Sequence, residues 1–208
     1  MQRAYICDKY RKMKATRWDD HYARQARDEK WLARSVYKLR EMDKKFRLIH
    51  KGNRLLDLGC FPGSWSQYGL EKVGPSGEVV GIDLIRPKNL LFPNYRFIHD
   101  NVLSMDMDRI LREIGSIDVV MSDLAPKTTG MRLTDASRSM SLATRAVEIA
   151  LAVLKKKGHL VCKVFEGEDL RLFRAETAMY FKNIRLFRPE ATRKRSREIY
   201  LLGLDLIK

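Results

Sequence analysis

The fold is decided by the stretch Leu55-Leu-Asp57-Leu-Gly59-Cys60-Phe61-Pro62-Gly63-Ser64-Trp65-Ser66. A short apolar run, Arg54–Leu58, ends in a turn that contains two glycines, and a helical pattern over Ser64–Lys72 follows. A strand, a tight turn and a helix in this order place backbone N–H groups and a helix N-terminus at the carboxyl end of a sheet. Because α/β proteins bind their ligands at that edge, we predict a ligand site at this turn.

The rest of the chain alternates between predicted strands and helices. Apolar runs predict buried strands at Glu78–Asp83, Tyr95–His99, Ile117–Asp123 and Gly158–Phe165, and apolar spacing predicts helices at Met107–Ile114 and Ser137–Leu154. This alternation predicts an α/β protein with a mostly parallel sheet and helices on both faces. The last two runs, Ile184–Phe187 and Glu198–Ile207, are ten residues apart. That connection is too short for a helical crossover, so we expect an antiparallel last strand.

Charge is unevenly distributed along the chain. The 208 residues include 41 Lys and Arg against 26 Asp and Glu, a formal net charge of +15. Such an excess favours a polyanionic partner, most often nucleic acid, over a purely solubilising role. Positions 1–50 hold fifteen basic and seven acidic residues, and positions 182–198 hold seven and two. An apolar pattern over Trp31–Leu48 predicts a basic amphipathic helix. We interpret residues 1–50 as a basic N-terminal extension and residues 51–208 as the domain that follows it.

Several classes of protein do not fit this sequence. No apolar run approaches the roughly 18 residues of a membrane-spanning helix, and the first residues lack the apolar stretch of a secretory signal. Cys7, Cys60 and Cys162 are far apart and form no CxxC pair, which favours a reducing, cytoplasmic location. The four histidines form no HExxH pattern, so we expect no metal.

The turn does not match a dinucleotide-binding fingerprint. With Gly59 as the first glycine, the pattern G-x-G-x-x-G needs glycine at two positions that hold Phe61 and Ser64. A side chain at position 61 hinders the close backbone approach that a pyrophosphate requires. The turn therefore disfavours an NAD-dependent oxidoreductase and favours a nucleoside ligand without phosphates. A tight turn that holds no ligand is the plainer alternative.

Acidic residues lie at or near the ends of the first three predicted strands. They are Asp57 in the first strand, Asp83 at the end of the second and Asp100 directly after the third. An acid in the position of Asp83 accepts hydrogen bonds from a ribose diol, and Asp100 could meet an adenine amino group. Three acids beside one cleft repel phosphates and suit a cationic ligand. S-adenosylmethionine, a sulfonium nucleoside with an amino-acid tail, meets these requirements.

Charged residues also occur where the inner strands end. Lys163 lies in the otherwise apolar run GHLVCKVF, and a buried ammonium needs carboxylate partners or a cleft because burying it alone is costly. Asp123 closes its strand at the carboxyl edge, and Glu198 begins the last strand at the same edge if that strand is antiparallel. We therefore expect Asp123, Lys163 and Glu198 to converge beside the turn. A buried structural ion pair is the alternative.

Together these segments resemble the FtsJ-type family of ribosomal RNA large-subunit methyltransferases, which modify a ribose 2′-hydroxyl. The resemblance covers nearly the whole chain and rests on six motifs: Ala33–Glu41, Asp57–Tyr68, Gly81–Asp83, Ser122–Pro126, Cys162–Phe165 and Arg195–Tyr200. It implies a catalytic set of Lys38, Asp123, Lys163 and Glu198. It also implies S-adenosylmethionine contacts at Gly63, Trp65, Asp83, Asp100 and Asp123, to which the turn itself adds Asp57 and Gly59.

The resemblance further implies a Rossmann-like class I methyltransferase fold and methylation of a uridine in 23S rRNA on the assembled large subunit. Residues 1–50 would bind RNA, 51–208 would be the catalytic domain, and we expect a monomer. Two positions depart from the family pattern: Phe61 stands in a turn closer to A-A-P-G-G-W, and His99 stands where the family often has Gly. Lys163 either acts as a neutral base or, charged, orients the hydroxyl and stabilises the alkoxide. The alternatives are methylation of tRNA or another RNA, and a non-catalytic rRNA-binding assembly factor.

Overall fold

The computed structural model describes residues 17–207, with side chains described from residue 21 onward. In this part of the chain, seven strands form one sheet: β1 (Arg54–Leu58), β2 (Glu78–Asp83), β3 (Tyr95–His99), β4 (Ile117–Ser122), β5 (Leu154–Phe165), β6 (Phe181–Phe187) and β7 (Glu198–Leu206). The helices are α1 (Arg17–Asp28), α2 (Val36–Phe46), α3 (Ser64–Val73), α4 (Met107–Ile114), α5 (Arg132–Val153) and α6 (Leu170–Ala178). Cys7 and the first part of the predicted extension lie outside the described residues.

The strands lie in the order β3-β2-β1-β4-β5-β7-β6. Strands β1 to β5 pair in parallel, whereas β7 runs antiparallel to both β5 and β6. The predicted fold class, a mostly parallel sheet with an antiparallel last strand, is confirmed. Because β7 runs opposite to β5, its first residue, Glu198, pairs with Phe165 at the end of β5. This register brings the start of β7 to the sheet edge that also carries the glycine turn.

Two apolar layers cover the sheet, as expected for parallel strands whose side chains are buried on both faces. On one face, strand residues such as Leu56 and Val120 pack with helices α4, α5 and α6. On the other face, their neighbours Leu55 and Val119 pack with α2 and α3. Adjacent residues of a strand point to opposite faces, so each strand contributes to both layers and the sheet edge is held rigidly.

Helix α2 belongs to the second of these layers. Its apolar stripe of Val36, Leu39 and Met42 is fully buried beside strand β1. The helix ends at Phe46, where Arg47 adopts a left-handed conformation and its N–H bonds to a carbonyl one turn earlier at 2.7 Å. The division at residue 50 and the RNA-binding role of residues 1–50 stay predictions. The second half of that segment packs directly onto the sheet.

The structure departs from the predicted elements in a few places. The sequence pattern predicts neither α1 nor α6, and α6 buries only Phe173 and Thr177, so its apolar signal is weak. The helix predicted from Trp31 starts later, because the backbone N–H of Leu32 bonds to the side chain of Gln67 at 3.0 Å. Strand β5 starts at Leu154 rather than at Gly158, since it pairs with β4 from that point through an irregular register.

No helix within residues 17–207 combines the length and the apolar composition that crossing a membrane requires. The longest helix there, α5, has 22 residues but carries Arg138, Arg145 and Glu148 along its length. Within the same range, no three His, Cys, Asp or Glu side chains are grouped so that they could hold a metal ion.

Candidate active site

A cavity of about 740 Å³ opens at the carboxyl ends of strands β1 to β4. Its lining combines the acids Asp83, Asp100 and Asp123, the basic residues Lys127 and Arg138, the apolar side chains Leu84, Val102, Leu103 and Leu142, and the turn residues Gly59 and Phe61. Apolar walls with a few polar groups are typical of small-molecule sites, and the three acids outnumber the two basic residues. The cavity therefore lies where the sequence predicts a ligand.

The shape of the turn between β1 and α3 requires glycine at two positions. Gly59 has a φ of +76°, and a Cβ there would lie 2.7 Å from Cδ2 of Leu124. Gly63 has a φ of +114°, and a Cβ there would lie 2.9 Å from side-chain atoms of both Leu32 and Leu90. Both the backbone conformation and the lack of space exclude larger residues. Gly59 lines the cavity and Gly63 does not, and their predicted donor contacts stay predictions.

Asp83 ties the turn to the loop that follows β2. One of its carboxylate oxygens accepts the backbone N–H of Phe61 at 2.9 Å, and the other accepts that of Ile85 at 3.0 Å. These bonds fix the carboxylate in the cavity wall. Since each carboxylate oxygen can accept two hydrogen bonds, Asp83 keeps capacity for a ligand hydroxyl. Its geometry suits the predicted role as acceptor for a ribose diol.

Asp100 is already engaged by protein groups. It forms an ion pair with Arg109 of α4, and its other carboxylate oxygen accepts the backbone N–H of Asn101 at 2.7 Å. A ligand amino group would therefore share this carboxylate with Arg109. Asn101 and Val102 line the cavity beside Asp100. The contact between Asp100 and an adenine amino group stays a prediction.

Asp57 is completely buried near the end of β1. Its Oδ2 accepts the hydroxyl of Ser66 at 2.6 Å, while Oδ1 has no hydrogen-bond partner among the described residues. Burial raises the pKa of Asp57 to about 7, the Ser66 hydroxyl partly opposes this rise, and the charges of Asp123 and Asp83 add to it. An unsatisfied buried acceptor is costly. Asp57 does not line the cavity, and its predicted ligand contact stays a prediction.

Trp65 joins α3 to the start of α2. It is 3% exposed, its indole N–H donates to the carbonyl of Ser35 at 2.9 Å, and its ring lies 5.9 Å from that of Tyr200, measured between ring centres. Trp65 does not line the cavity. Its contact with the donor stays a prediction, and its position in the structure gives it a role in holding α2 against the site.

Lys163 and Asp123 form an ion pair at the edge of the cavity. Nζ of Lys163 lies 3.0 Å from Oδ1 of Asp123 and donates to the backbone carbonyl of the same residue at 2.5 Å. The lysine side chain is only 5% exposed, and a buried charge requires such partners. Asp123 itself lines the cavity. The expected convergence of these two residues is present in the structure.

Lys38 and Glu198 form a second ion pair beside the first. Nζ of Lys38 lies 2.6 Å from Oε1 of Glu198, and the hydroxyl of Ser196 donates to Oε2 at 2.7 Å. Lys38 projects from α2 and Glu198 begins β7. This pair therefore links the helical layer to the sheet edge and brings all four residues of the predicted catalytic set into one cluster.

A buried tyrosine connects the two pairs. The hydroxyl of Tyr200 donates to Oδ1 of Asp123 at 2.8 Å, and Nζ of Lys38 lies 5.8 Å from the centre of its ring. Sequence analysis does not single out Tyr200, because a tyrosine in an apolar strand is normally interpreted as a core residue. The pairing of β7 with β5 would have identified Tyr200, because it places this residue directly opposite Lys163.

The cluster keeps its two carboxylates ionised. Burial alone would raise the pKa of Asp123, but Lys163, Lys38 and the Tyr200 hydroxyl outweigh it and hold that pKa below its usual value. Burial likewise opposes ionisation of Glu198, and Lys38 followed by Lys163 lowers its pKa. Burial raises the pKa of Tyr200 far above its usual value. Two carboxylates thus face two lysines, and Tyr200 stays protonated as a hydrogen-bond donor.

The arrangement can hold a cation and a hydroxyl group side by side. Asp83 and Asp123 in the cavity lining provide negative charge for a sulfonium or ammonium group, and the apolar cavity walls suit a flat ring. Nζ of Lys163 contacts both the carboxylate and the backbone carbonyl of Asp123. A substrate hydroxyl beside it would meet either a charged donor, which stabilises developing negative charge, or a neutral base. The residues therefore fit an S-adenosylmethionine site beside a site for a nucleophilic hydroxyl.

Known proteins resemble this chain in both sequence and fold. Ribosomal RNA large subunit methyltransferase E of Desulfosudis oleivorans is 44% identical over 192 residues, which cover 92% of this chain and 93% of that protein. A Plasmodium falciparum structure described as a ribosomal RNA methyltransferase is 27% identical with a TM-score of 0.73 and covers 85% of this chain and 99% of that one. Aeropyrum pernix fibrillarin shares the fold at 15% identity, with a TM-score of 0.58 and coverage of 76% and 68%.

A family model described as FtsJ-like methyltransferase matches residues 31–206. This match includes all four residues of the cluster and every residue of the cavity lining. The predicted class of enzyme is confirmed, together with its class I methyltransferase fold. The chain belongs to the FtsJ-like methyltransferase family.

Proposed function

We propose that the protein transfers the methyl group of S-adenosylmethionine to a ribose 2′-hydroxyl of large-subunit ribosomal RNA. The main observation behind this proposal concerns Asp123. Its side chain lines the cavity, and its Oδ1 lies 3.0 Å from Nζ of Lys163. A methyl donor and an attacking hydroxyl must meet at such a point. The Desulfosudis relative is named for the large ribosomal subunit, which supports that substrate.

The cavity residues would hold the methyl donor. We assign Asp83 to its ribose, Asp100 to its adenine and the buried carboxylate of Asp57 to its cationic amino-acid end. The family resemblance adds Gly63 and Trp65, and the turn adds Gly59; these residues shape the turn and its support. The Aeropyrum fibrillarin structure contains natively bound S-adenosylmethionine, which supports this use of the shared fold. When bound, S-adenosylmethionine supplies an electrophilic methyl group, so that an oxygen–carbon bond forms while the carbon–sulfur bond breaks and sulfur keeps the electron pair.

Lys163 acts on the attacking oxygen. We assign Lys163 the role of a charged donor, because the carboxylate of Asp123 lies 3.0 Å from its Nζ. The ammonium orients the 2′-hydroxyl and stabilises the charge that develops as the proton leaves to solvent. Holding oxygen, methyl and sulfur in line supplies much of the rate, since good orientation contributes about 7–11 kcal/mol in favourable cases.

Lys38, Glu198 and Tyr200 support that lysine. Tyr200 fixes the Asp123 carboxylate through its hydroxyl, and Glu198 fixes Lys38 at 2.6 Å. Lys38 adds a second positive charge beside the reacting oxygen, which favours the developing alkoxide. We place Lys38 and Glu198 in the catalytic set for this reason.

The basic segments at positions 1–50 and 182–198 would bind RNA phosphates, whose contacts give most protein–RNA complexes their salt dependence. We extend the proposal to a uridine in 23S rRNA of the assembled large subunit, modified by a monomer in the cytoplasm.

The experiment is methyl transfer from S-adenosylmethionine labelled in its methyl group. Purified large subunits, free large-subunit rRNA and tRNA are offered separately, and the modified nucleotide is mapped. We expect label at one 2′-O-methyluridine, with the assembled subunit as the best substrate. Label on a base, preferential labelling of tRNA, or no transfer to any of the three RNAs would contradict the proposal.

A further inference from the structure

The connection between β6 and β7, residues 188–197, leads directly into Glu198 and carries many cations. Arg193, Lys194 and Arg195 are exposed. By contrast, Ala191 and Thr192 at its centre are only 2% and 5% exposed. Because its centre is buried, the connection packs onto the domain. We call its three exposed cations, Arg193, Lys194 and Arg195, the crest.

Two side chains next to Lys38 anchor this connection. The guanidinium of Arg34, in the turn before α2, donates to the backbone carbonyl of Ala191 at 2.8 Å. Oε2 of Glu41, within α2, accepts the backbone N–H of Glu190 at 2.8 Å. Both bonds go to main-chain atoms, so they fix the path of the connection independently of its own side chains.

The two anchors lie on either side of Lys38 in sequence. Lys38 and Glu41 are three residues apart on α2, which places them on one side of the helix, and Arg34 lies in the turn directly before that helix. Lys38 holds Glu198 at 2.6 Å. Helix α2 and the turn before it therefore set both the path of the connection and the strand end that follows it.

We propose that Arg34 and Glu41 are positioning residues that hold the crest at a fixed distance from Lys163. The crest would then bind phosphates next to the target ribose while that ribose reaches the lysine. Phosphate contacts set the register of a nucleic acid on a protein, and three adjacent exposed cations three to five residues before Glu198 suit this role. The inference rests on the proposed function, since it takes RNA as the substrate.

Replacing Glu41 distinguishes a positioning role from a purely electrostatic one, because the two roles predict opposite changes in RNA binding. Glu41→Ala makes the protein more positive, and by charge alone it would tighten binding to RNA. If Glu41 positions the crest, the same change weakens productive binding instead. Glu41→Gln removes the charge but keeps an amide oxygen that can accept the N–H of Glu190. Glu176→Ala, an exposed change on α6, is the control for charge.

The test measures KM for large subunits, kcat and S-adenosylmethionine affinity for these variants. We expect Glu41→Ala to raise KM about fivefold, the effect of removing one hydrogen bond, with donor affinity unchanged. Glu41→Gln should restore the parent KM, and Glu176→Ala should leave it equal or lower. A KM for Glu41→Ala that follows the control, or a Glu41→Gln variant as impaired as Glu41→Ala, would overturn the inference.

Two further measurements keep the test decisive. If Glu41→Ala does not fold, Arg34→Ala is compared with Arg34→Gln, which keeps an N–H donor for the carbonyl of Ala191 without the charge. The inference requires that glutamine restore KM at least in part. No restoration would overturn it. The unsubstituted protein tests the proposed function separately, because that function is contradicted if it does not methylate large subunits. If it does so and Glu41→Ala leaves KM unchanged, only the positioning role is contradicted.

Discussion

The two ion pairs of the cluster have the same chemistry, but the fold builds them differently. Lys163 and Asp123 stand at the ends of β5 and β4, which are hydrogen-bonded neighbours, so the sheet alone sets their spacing. Lys38 and Glu198 are 160 residues apart in sequence and join a helix to a strand. Asp123 lines the cavity, whereas neither member of the second pair does.

This difference separates the roles of the two pairs. In the strand pair, Asp123 lines the cavity and holds Lys163 at 3.0 Å, so this pair lies beside the proposed donor site. The helix pair adds charge and fixes α2, which also anchors the basic connection. We therefore expect the strand pair to control the rate of methyl transfer and the helix pair to contribute less to it.

The largest effect is expected for Lys163→Ala. Loss of the donor that stabilises the reacting oxygen should lower single-turnover methyl transfer at least about a hundredfold. S-adenosylmethionine affinity should remain close to that of the parent, as measured by calorimetry. Lys156→Ala, an exposed change on the same strand, is the matched control. A Lys163→Ala variant with near-normal turnover would remove the assignment of Lys163.

Lys38→Ala should have the next largest effect. Removing this charge leaves Glu198 without its partner, and removing a charged hydrogen bond corresponds to about a tenfold loss. The rate of single-turnover transfer is again the measurement. Lys156→Ala, an exposed change outside both basic segments, should not alter it. If Lys38→Ala slowed the reaction more than Lys163→Ala, the assignment of roles to the two pairs would be reversed.

Asp57 should give donor binding a pH dependence. Its pKa near 7 means that the carboxylate ionises as pH rises from 6 to 8, and the affinity for the cationic donor should increase by up to about tenfold over that range. The same shift makes the donor-free protein lose stability as pH rises from about 4 to 7, because the unfolded chain ionises first. Asp57→Asn should remove the contribution of Asp57 to both pH dependences. Binding that is flat with pH in the parent would exclude an ionised Asp57 from the donor site.

Glu198→Gln should change stability in a pH-dependent way. The pKa of Glu198 is lowered in the folded protein, so ionised Glu198 stabilises the fold above its ordinary pKa near 4.5. The parent should unfold at higher urea than the variant at pH 7, and the difference should shrink as pH falls below about 4.5. Glu176→Gln serves as the control. A difference that does not depend on pH would show that the two lysines do not stabilise the ionised carboxylate.

The smallest effect is expected from the exposed cations around α1. Deleting residues 1–30 would also remove Ala26, which is buried in the core, so substitution is cleaner. The change of Arg27 and Lys30 to glutamine should reduce the slope of RNA affinity against salt by about one for each phosphate that is no longer neutralised. Donor affinity should not change. An RNA affinity equal to that of the parent at physiological salt would exclude this part of the extension from the interface.

Much of this site follows from sequence because the sheet determines it. Parallel strands carry their ends to one edge, so an acid closing one strand and a lysine within the next predict the contact of Asp123 with Lys163. The pairing of Lys38 with Glu198 depends on how α2 packs, and no local pattern encodes that packing. The resemblance names both residues without giving their contact. Tyr200 escapes sequence analysis because its apolar surroundings mask the role of its hydroxyl.

The most direct test of the central claim is an experimental structure of the protein bound to its large-subunit RNA with a non-reactive analogue of the methyl donor. We expect the target 2′-oxygen within about 3 Å of Nζ of Lys163, at hydrogen-bond distance, and the analogue in the cavity beside Asp123. A 2′-oxygen held by other groups, with Lys163 bonded only to Asp123, would contradict the mechanism.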